Sequence, residues 1–297
     1  MRKYNKPPLT YQEQIDLLAR RGLIIKDRDK AEQFLAGINY YRFSAYCIPF
    51  EESRHKFRPN VYFEQVQKLY EFDRQLRFLI DEALEIIEIA LRSRIAYYLS
   101  HQYGAFVHED ASKFFQRFNH TEWIAKVHEE AERSQETFIT HYKNTYEDFP
   151  KIPLWIAVEI MSFGSLSKLF HNLMRRDQIT VAKHFGFHSN ILASWLHTFV
   201  YIRNICAHHS RLWNRELAIA MKIPKDERWK NVNSKRVASV IFAINMFLSV
   251  LQYGDHIKEL WRKEMEDLFS QDIPIDNFYV RMGVNVNLIN HPLWRES

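Results

Sequence analysis

The chain has 297 residues, 46% of them hydrophobic, which is enough to bury a substantial core and excludes a disordered segment. Only 7 glycines and 9 prolines leave few of the positions that hairpins and phosphate-cradling loops require, so the composition favours helices. The 41 basic and 36 acidic residues give a net charge of +5, compatible with a polyanionic partner, and two distant cysteines, Cys47 and Cys206, support neither a disulfide framework nor a zinc finger.

The first residues are polar and lack the apolar run of a signal peptide, so a cytoplasmic protein is expected. Thr10-Tyr11-Gln12-Glu13 reads as a capping box that opens a helix ending near Gly22. A second arm over 29–36 is expected to stop at Gly37. The aromatic stretch that follows, Ile38 to Tyr46, reads as core, with base stacking by its tyrosines as the alternative. Residues 1–55 are thus expected to form an accessory helical hairpin.

Over 61–101 apolar residues recur at helical spacing, among them Leu69, Phe72, Leu76, Ile80, Ala83, Ile87 and Leu91, which predicts one long helix or two abutting ones ended by Gly104. Asn119-His120-Thr121-Glu122 predicts a capped start to an amphipathic stretch over 123–143. Pro150 and Pro153 punctuate the chain before short helices at 154–163, 165–174, 179–185 and 190–209. After a loop holding Pro224 and Trp229 come an apolar helix at 235–253 and a charged one at 256–269. The main bundle is expected over 56–270, with 271–297 as an irregular tail. Residues 237–251 are almost wholly apolar but contain Ser239, Asn245 and Ser249 and fall short of the roughly 20 residues a membrane span needs, which predicts a buried core helix. A membrane-active toxin built on it remains a third class of function.

The densest cluster of reactive side chains lies in 194–215. Up to Cys206 this segment carries a broad apolar face, Trp195, Leu196, Phe199, Ile202 and Ile205 included, which Arg203, Asn204 and His208 interrupt. At about 100° per residue these three fall within one arc near the helix end. A guanidinium holds two phosphate oxygens, an imidazole exchanges protons near neutral pH, and an amide orients either partner. On RNA, His208 would serve as general base or acid for attack by the 2′-hydroxyl on the adjacent phosphate, and Arg203 would stabilise the developing charge without a metal. DNA lacks that nucleophile. The competing reading is a helix end whose Arg and His are satisfied by nearby carbonyls or carboxylates. Against it stands the crowding of Arg203, Asn204, His208, His209, Arg211, Asn214 and Arg215 into thirteen positions, because desolvating so many polar groups without a partner is costly.

A metal site at His197, His208 and His209 is disfavoured, since adjacent residues on a helix diverge by about 100° and no H-E-x-x-H pattern is present. No cofactor motif appears either: a Gly-rich phosphate loop, a G-x-S-x-G elbow and a kinase signature are all missing. Glu88 and Arg92, at i,i+4, are a helix-stabilising pair or supporting site residues, with Glu85 close by, and Glu159 is a further candidate partner for Arg203 or His208.

Five stretches resemble the Abi-like (abortive infection) family: Ile38-Asn39-Tyr40-Tyr41-Arg42-Phe43-Ser44-Ala45-Tyr46, Phe72-Asp73-Arg74-Gln75-Leu76-Arg77, Glu88-Ile89-Ala90-Leu91-Arg92, Pro153-Leu154-Trp155 with Ser162-Phe163-Gly164, and Arg203-Asn204-Ile205-Cys206-Ala207-His208-His209. The last is also similar to the R-x4-6-H signature of the HEPN superfamily. The resemblance implies an all-α HEPN-type helical bundle, a role in abortive-infection or toxin-antitoxin defence against phage, and metal-independent RNA cleavage. It places Arg203, Asn204 and His208 in the catalytic site, Asn204 in support of the other two, and has Arg211 and Arg215 bind RNA; His209, Glu88 and Arg92 join them as supporting or RNA-binding candidates by their position in the sequence. It also implies a homodimer that builds one composite site. The alternative it leaves open is a non-catalytic component that holds a structured non-coding RNA.

Overall fold

A computed structural model describes residues 7–251 and 255–296. The chain is all-α: the described residues form fourteen α-helices, and the one sheet among them is a two-stranded antiparallel hairpin. It divides into two compact units, Met1–Arg77 with Asp267–Phe278, and Phe78–Glu266 with Tyr279–Ser297. The division differs from boundaries at 55 and 270, and it falls inside two long helices, where no break in the sequence marks it.

In the first unit, α1 (Tyr11–Arg20) starts with the expected capping box: the Thr10 hydroxyl accepts from the Glu13 amide at 3.2 Å and the Thr10 amide donates to the Glu13 carboxylate at 2.7 Å. The next helix, α2 (Arg28–Ile38), runs through Gly37 and stops at Asn39, whose φ of +62° no helix accommodates. Glycine alone does not end a helix; a residue in the left-handed region does. Asn39 then caps α3 (Tyr40–Cys47), its side chain accepting from the Tyr41 amide at 2.8 Å. Phe43 and Tyr46 of the aromatic stretch are buried, and Phe43 stacks on Phe63 with ring centroids 4.7 Å apart. The strands β1 (Glu51–Ser53) and β2 (Lys56–Phe57) form a hairpin that the scarcity of glycine did not lead one to expect; His55, at φ +66°, supplies the turn. The first turns of α4 (Phe63–Tyr103) close this unit with a buried network in which the Tyr46 hydroxyl donates to Asp73 at 2.6 Å and Arg77 pairs with Asp73 and reaches the Tyr46 hydroxyl. Burial and the Asp73 charge push the Tyr46 phenol far above its ordinary pKa.

The second unit contains the rest of α4, a single unbroken helix that Gly104 (φ +96°) terminates. The amphipathic stretch over 123–143 is two helices, α5 (His120–Arg133) and α6 (Thr137–Thr145), because Ser134 and Glu136 adopt extended backbone between them. Three short helices follow, α7 (Leu154–Ile160), α8 (Phe163–Asn172) and α9 (Arg175–His184), and then the 19-residue α10 (Ser189–Ala207). Next come the buried α11 (Val237–Val250) and then α12 (Asp255–Ser270). The polar residues of α11 are satisfied internally: Asn245 accepts from Arg262 at 3.0 Å and donates to the Leu293 carbonyl at 3.2 Å, and Ser239 donates to the Arg236 carbonyl at 2.8 Å. Among the described residues no helix is long and apolar enough to cross a membrane. The end of the apolar helix expected at 235–253 lies partly outside the described residues.

The segment expected as an irregular tail holds α13 (Phe278–Met282) and α14 (Pro292–Arg295). Within the second unit it is core: Met282, Leu288, Leu293 and Trp294 are buried, and the Arg262 guanidinium lies over the Trp294 ring at 4.7 Å. Short helices of four or five residues have too few positions to show a period, so the sequence pattern missed them.

Candidate functional site

Helix α10 is built as a core element. Ile191, Leu192, Trp195, Leu196, Phe199 and Ile202 are buried, and the helix packs on α8, α9 and α11. Its course is fixed by polar contacts to the following loop: the Trp195 indole donates to the Lys222 carbonyl at 2.9 Å, and the Lys222 amide donates to the Ser194 hydroxyl at 2.9 Å. A rigid, buried helix therefore delivers Arg203 and Asn204 to its own last turn.

The helix ends at Ala207, two residues before His209. His208 is the C-cap and keeps the last helical bond, its amide donating to the Asn204 carbonyl at 3.0 Å, so Asn204 and His208 stand one turn apart. His209 takes the left-handed conformation at φ +54°. Its amide donates to Cys206 at 2.9 Å and that of Ser210 to Ile205 at 3.0 Å, the paired bonds of a Schellman motif with histidine where glycine is usual. Asn204, His208 and His209 are exposed, and Arg203, Arg211 and Arg215 are half-buried.

Arg203 carries a buried Nε with no hydrogen-bond partner. Its electrostatic neighbour is Asp81 of α4, whose Oδ1 is likewise buried and unpartnered. Burial raises the Asp81 carboxyl above the ordinary carboxylate range, Arg203 opposes that rise, Glu85 adds to it, and His209 opposes it again. The arrangement is the Arg203 guanidinium of α10 and the His209 imidazole just past its end beside two carboxylates of α4. Asp81 was not singled out in the sequence. The available signal was the polar series Asp81, Glu85, Glu88 and Arg92, spaced four, three and four residues apart along one face of an otherwise apolar helix.

Beyond the helix end the chain is held close. The Arg215 Nε donates to the Arg211 carbonyl at 3.0 Å, and Arg236 donates to the Asn214 carbonyl at 2.6 Å. Arg236 is itself set by Gly283 (φ +111°), where a Cβ would come within 2.5 Å of the Arg236 Cβ. Leu212, Trp213 and Leu217 are buried, which anchors the loop that carries Arg211 and Arg215.

Glu88 and Arg92 form the expected ion pair, both largely buried. Arg92 does more than pair: it donates to the Val158 carbonyl and, at 2.7 Å, to the Met161 carbonyl, capping the C-terminal end of α7. Glu159 is exposed, makes no ion pair with Arg203 or His208, and lines a groove with Tyr97, His101 and Trp155. His197 lies on the exposed side of α10, where its electrostatic neighbour is His171 of α8. Among the described residues no group of three or more His, Cys, Asp or Glu side chains could hold a metal ion.

Residues 33–214 match a family model described as Abi-like protein. The match includes Glu88, Arg92, Arg203, Asn204, His208, His209 and Arg211, and ends one residue before Arg215. No curated protein and no solved structure matches the chain.

Proposed function

Because the chain belongs to the Abi-like protein family, which points to abortive-infection defence against phage, we propose that it acts there as a metal-independent endoribonuclease with its site at the end of α10. The observation that carries this reading is Arg203, a guanidinium whose buried Nε finds no acceptor among the described residues. An unmet buried donor is costly unless a ligand meets it, and the group a guanidinium binds best through two parallel bonds is a phosphate or carboxylate.

In the proposed reaction His208 takes the proton of the ribose 2′-hydroxyl and the 2′-oxygen attacks the adjacent phosphorus. The bond to the 5′-oxygen breaks, leaving a 2′,3′-cyclic phosphate and a 5′-hydroxyl. Arg203 stabilises the charge on the non-bridging oxygens, and Asn204, one turn from His208, orients the ribose. A second imidazole, His209 or the His208 of a second copy in a composite dimer site, gives the leaving oxygen its proton. The carboxylate of Asp81 limits the positive charge that Arg203 and His209 would otherwise accumulate before RNA binds.

The exposure of Asn204, His208 and His209 favours a second reading, in which the same residues hold an RNA phosphate without cutting it. Cleavage of a mixed RNA in the presence of EDTA distinguishes the two. Arg203→Ala, checked for fold and oligomeric state, is expected to slow cleavage by a factor of roughly 100 to 1,000, and His208→Ala by roughly 100 to 10,000. RNA bound but left intact by the wild-type protein would establish the second reading.

A further inference from the structure

A second site lies on α4, apart from the residues assigned to RNA. Between α4, the end of α9 and the facing ends of α11 and α12 there is a cleft of about 770 Å³, within the size range of small-molecule sites. Its walls are apolar, formed by Ile86, Ile89, Phe185, Val250 and Ile257, and Ile89 remains 58% exposed. An apolar surface of this kind gains free energy when a hydrocarbon body covers it.

Among the described residues the titratable groups that line the cleft include Arg94 and His184 and no carboxylate. Arg94 makes no ion pair among the described residues, and its Nε is buried without a hydrogen-bond partner. Its guanidinium carbon lies 5.9 Å from the Tyr97 ring centroid. Burial and the Arg94 charge both lower the His184 pKa, so Arg94 is the fixed positive charge of the cleft. Arg77 and Arg92, earlier on the same helix, are both paired with carboxylates.

We propose that this cleft binds a free amphiphilic anion, an aliphatic or aryl body against Ile86, Ile89, Phe185 and Val250 with its carboxylate on the Arg94 guanidinium. The fork of a guanidinium matches a carboxylate in two parallel bonds, and the apolar walls strengthen both by excluding water. The site does not depend on the nuclease reading, and its test uses no RNA.

The test is calorimetric titration of the full chain with octanoate and, as the uncharged counterpart, 1-octanol. Saturable one-to-one binding of octanoate is expected, at least tenfold tighter than that of octanol. Arg94→Met keeps the apolar stem and removes the charge, and should abolish that tenfold preference while leaving octanol unchanged. Ala90→Trp, a lining position filled with a large ring, should abolish both once its melting curve shows it folded. Absence of saturable binding, or octanoate binding that Arg94→Met leaves unchanged, would overturn the proposal. So would retention on phosphatidylglycerol vesicles without octanoate binding, which would assign the cleft to a membrane surface. A wild-type dimer that Ala90→Trp converts to a monomer, again without octanoate binding, would assign it to a second copy of the chain.

Discussion

His209 occupies the position just past a helix where glycine is usual, and it holds φ +54° with a Cβ attached. Left-handed backbone costs a non-glycine residue about 1 kcal/mol, and such strain gathers where a side chain is kept for function. His209→Gly is therefore expected to stabilise the protein by about 1 kcal/mol in urea unfolding, and His209→Ala, which keeps the strain and loses the ring, to do the reverse. If His209 supplies the leaving-group proton, both variants cleave more slowly despite their opposite effects on stability. His108 makes a different prediction. It is 1% exposed, neither ring nitrogen has a hydrogen-bond partner, and burial lowers its pKa to about 4, with the charges of His128 and His120 adding to the effect. Its Nε2 lies 3.8 Å from the Glu109 carboxylate oxygen that His128 contacts at 2.7 Å. The unfolded chain binds a proton at His108 near pH 6.5 and the native chain only near pH 4, so the unfolded state holds more protons between those values. Stability contributed by His108 is full above pH 6.5 and lost as pH falls towards 4, up to roughly 3 kcal/mol. His108→Phe, which leaves no donor or acceptor unpaired, should flatten that part of the acid limb; equal slopes for the two proteins in urea unfolding at pH 7.5 and 4.5 would contradict the assignment.

At the scale of elements, Arg92 shows how one side chain joins two helices. It pairs with Glu88 on α4 and takes the carbonyls of Val158 and Met161 at the end of α7, whose seven residues are too few to be stable alone. Arg92→Ala leaves a largely buried carboxylate and two carbonyls without their donor, and is expected to cost about 3 kcal/mol. Arg92→Lys should recover only part of this, because an ammonium cannot match a planar fork spread over three acceptors. Thermal unfolding measures both. An Arg92→Ala protein of unchanged melting temperature but weaker RNA binding would instead place Arg92 on the RNA. The same reasoning explains why several stretches of the sequence resemblance are structural: Asp73 and Arg77 form a buried ion pair that Tyr46 joins, and removing either charge would leave the other buried without this opposite charge.

For the molecule as a whole, a net charge of +5 from 41 basic and 36 acidic residues is a small electrostatic resource. RNA affinity should therefore come from the few cations near the end of α10. With Arg203, Arg211 and Arg215 each neutralising one phosphate of a single strand, the plot of log affinity against log salt should have a slope of about −2, and Arg215→Ala should reduce it by about 0.7. Filter binding across a range of salt concentrations measures this. A slope steeper than about −5 would require a wide basic surface outside this cluster.

The sequence by itself determined the helical class, through its scarcity of glycine and its 3.6-residue periodicity, along with the capping box at Thr10, the helical stretch ended by Gly104, and the Abi-like family; that this stretch is one helix and not two was decided by the structure. Each rests on near neighbours in the chain, where spacing and residue type are the physics. It also located Arg203, Asn204 and His208 on one side of one helix end, because that is a local relation. The tertiary structure decided what lies far away in sequence. Asp81, 122 positions before Arg203, is an ordinary helix acid until folding buries it beside a guanidinium. Arg92 is an i,i+4 partner until α7 ends against it. The last residues look irregular until Leu293 and Trp294 pack into a core. Burial depends on neighbours that no local pattern names, and burial sets which charges need partners and which are left to meet a ligand.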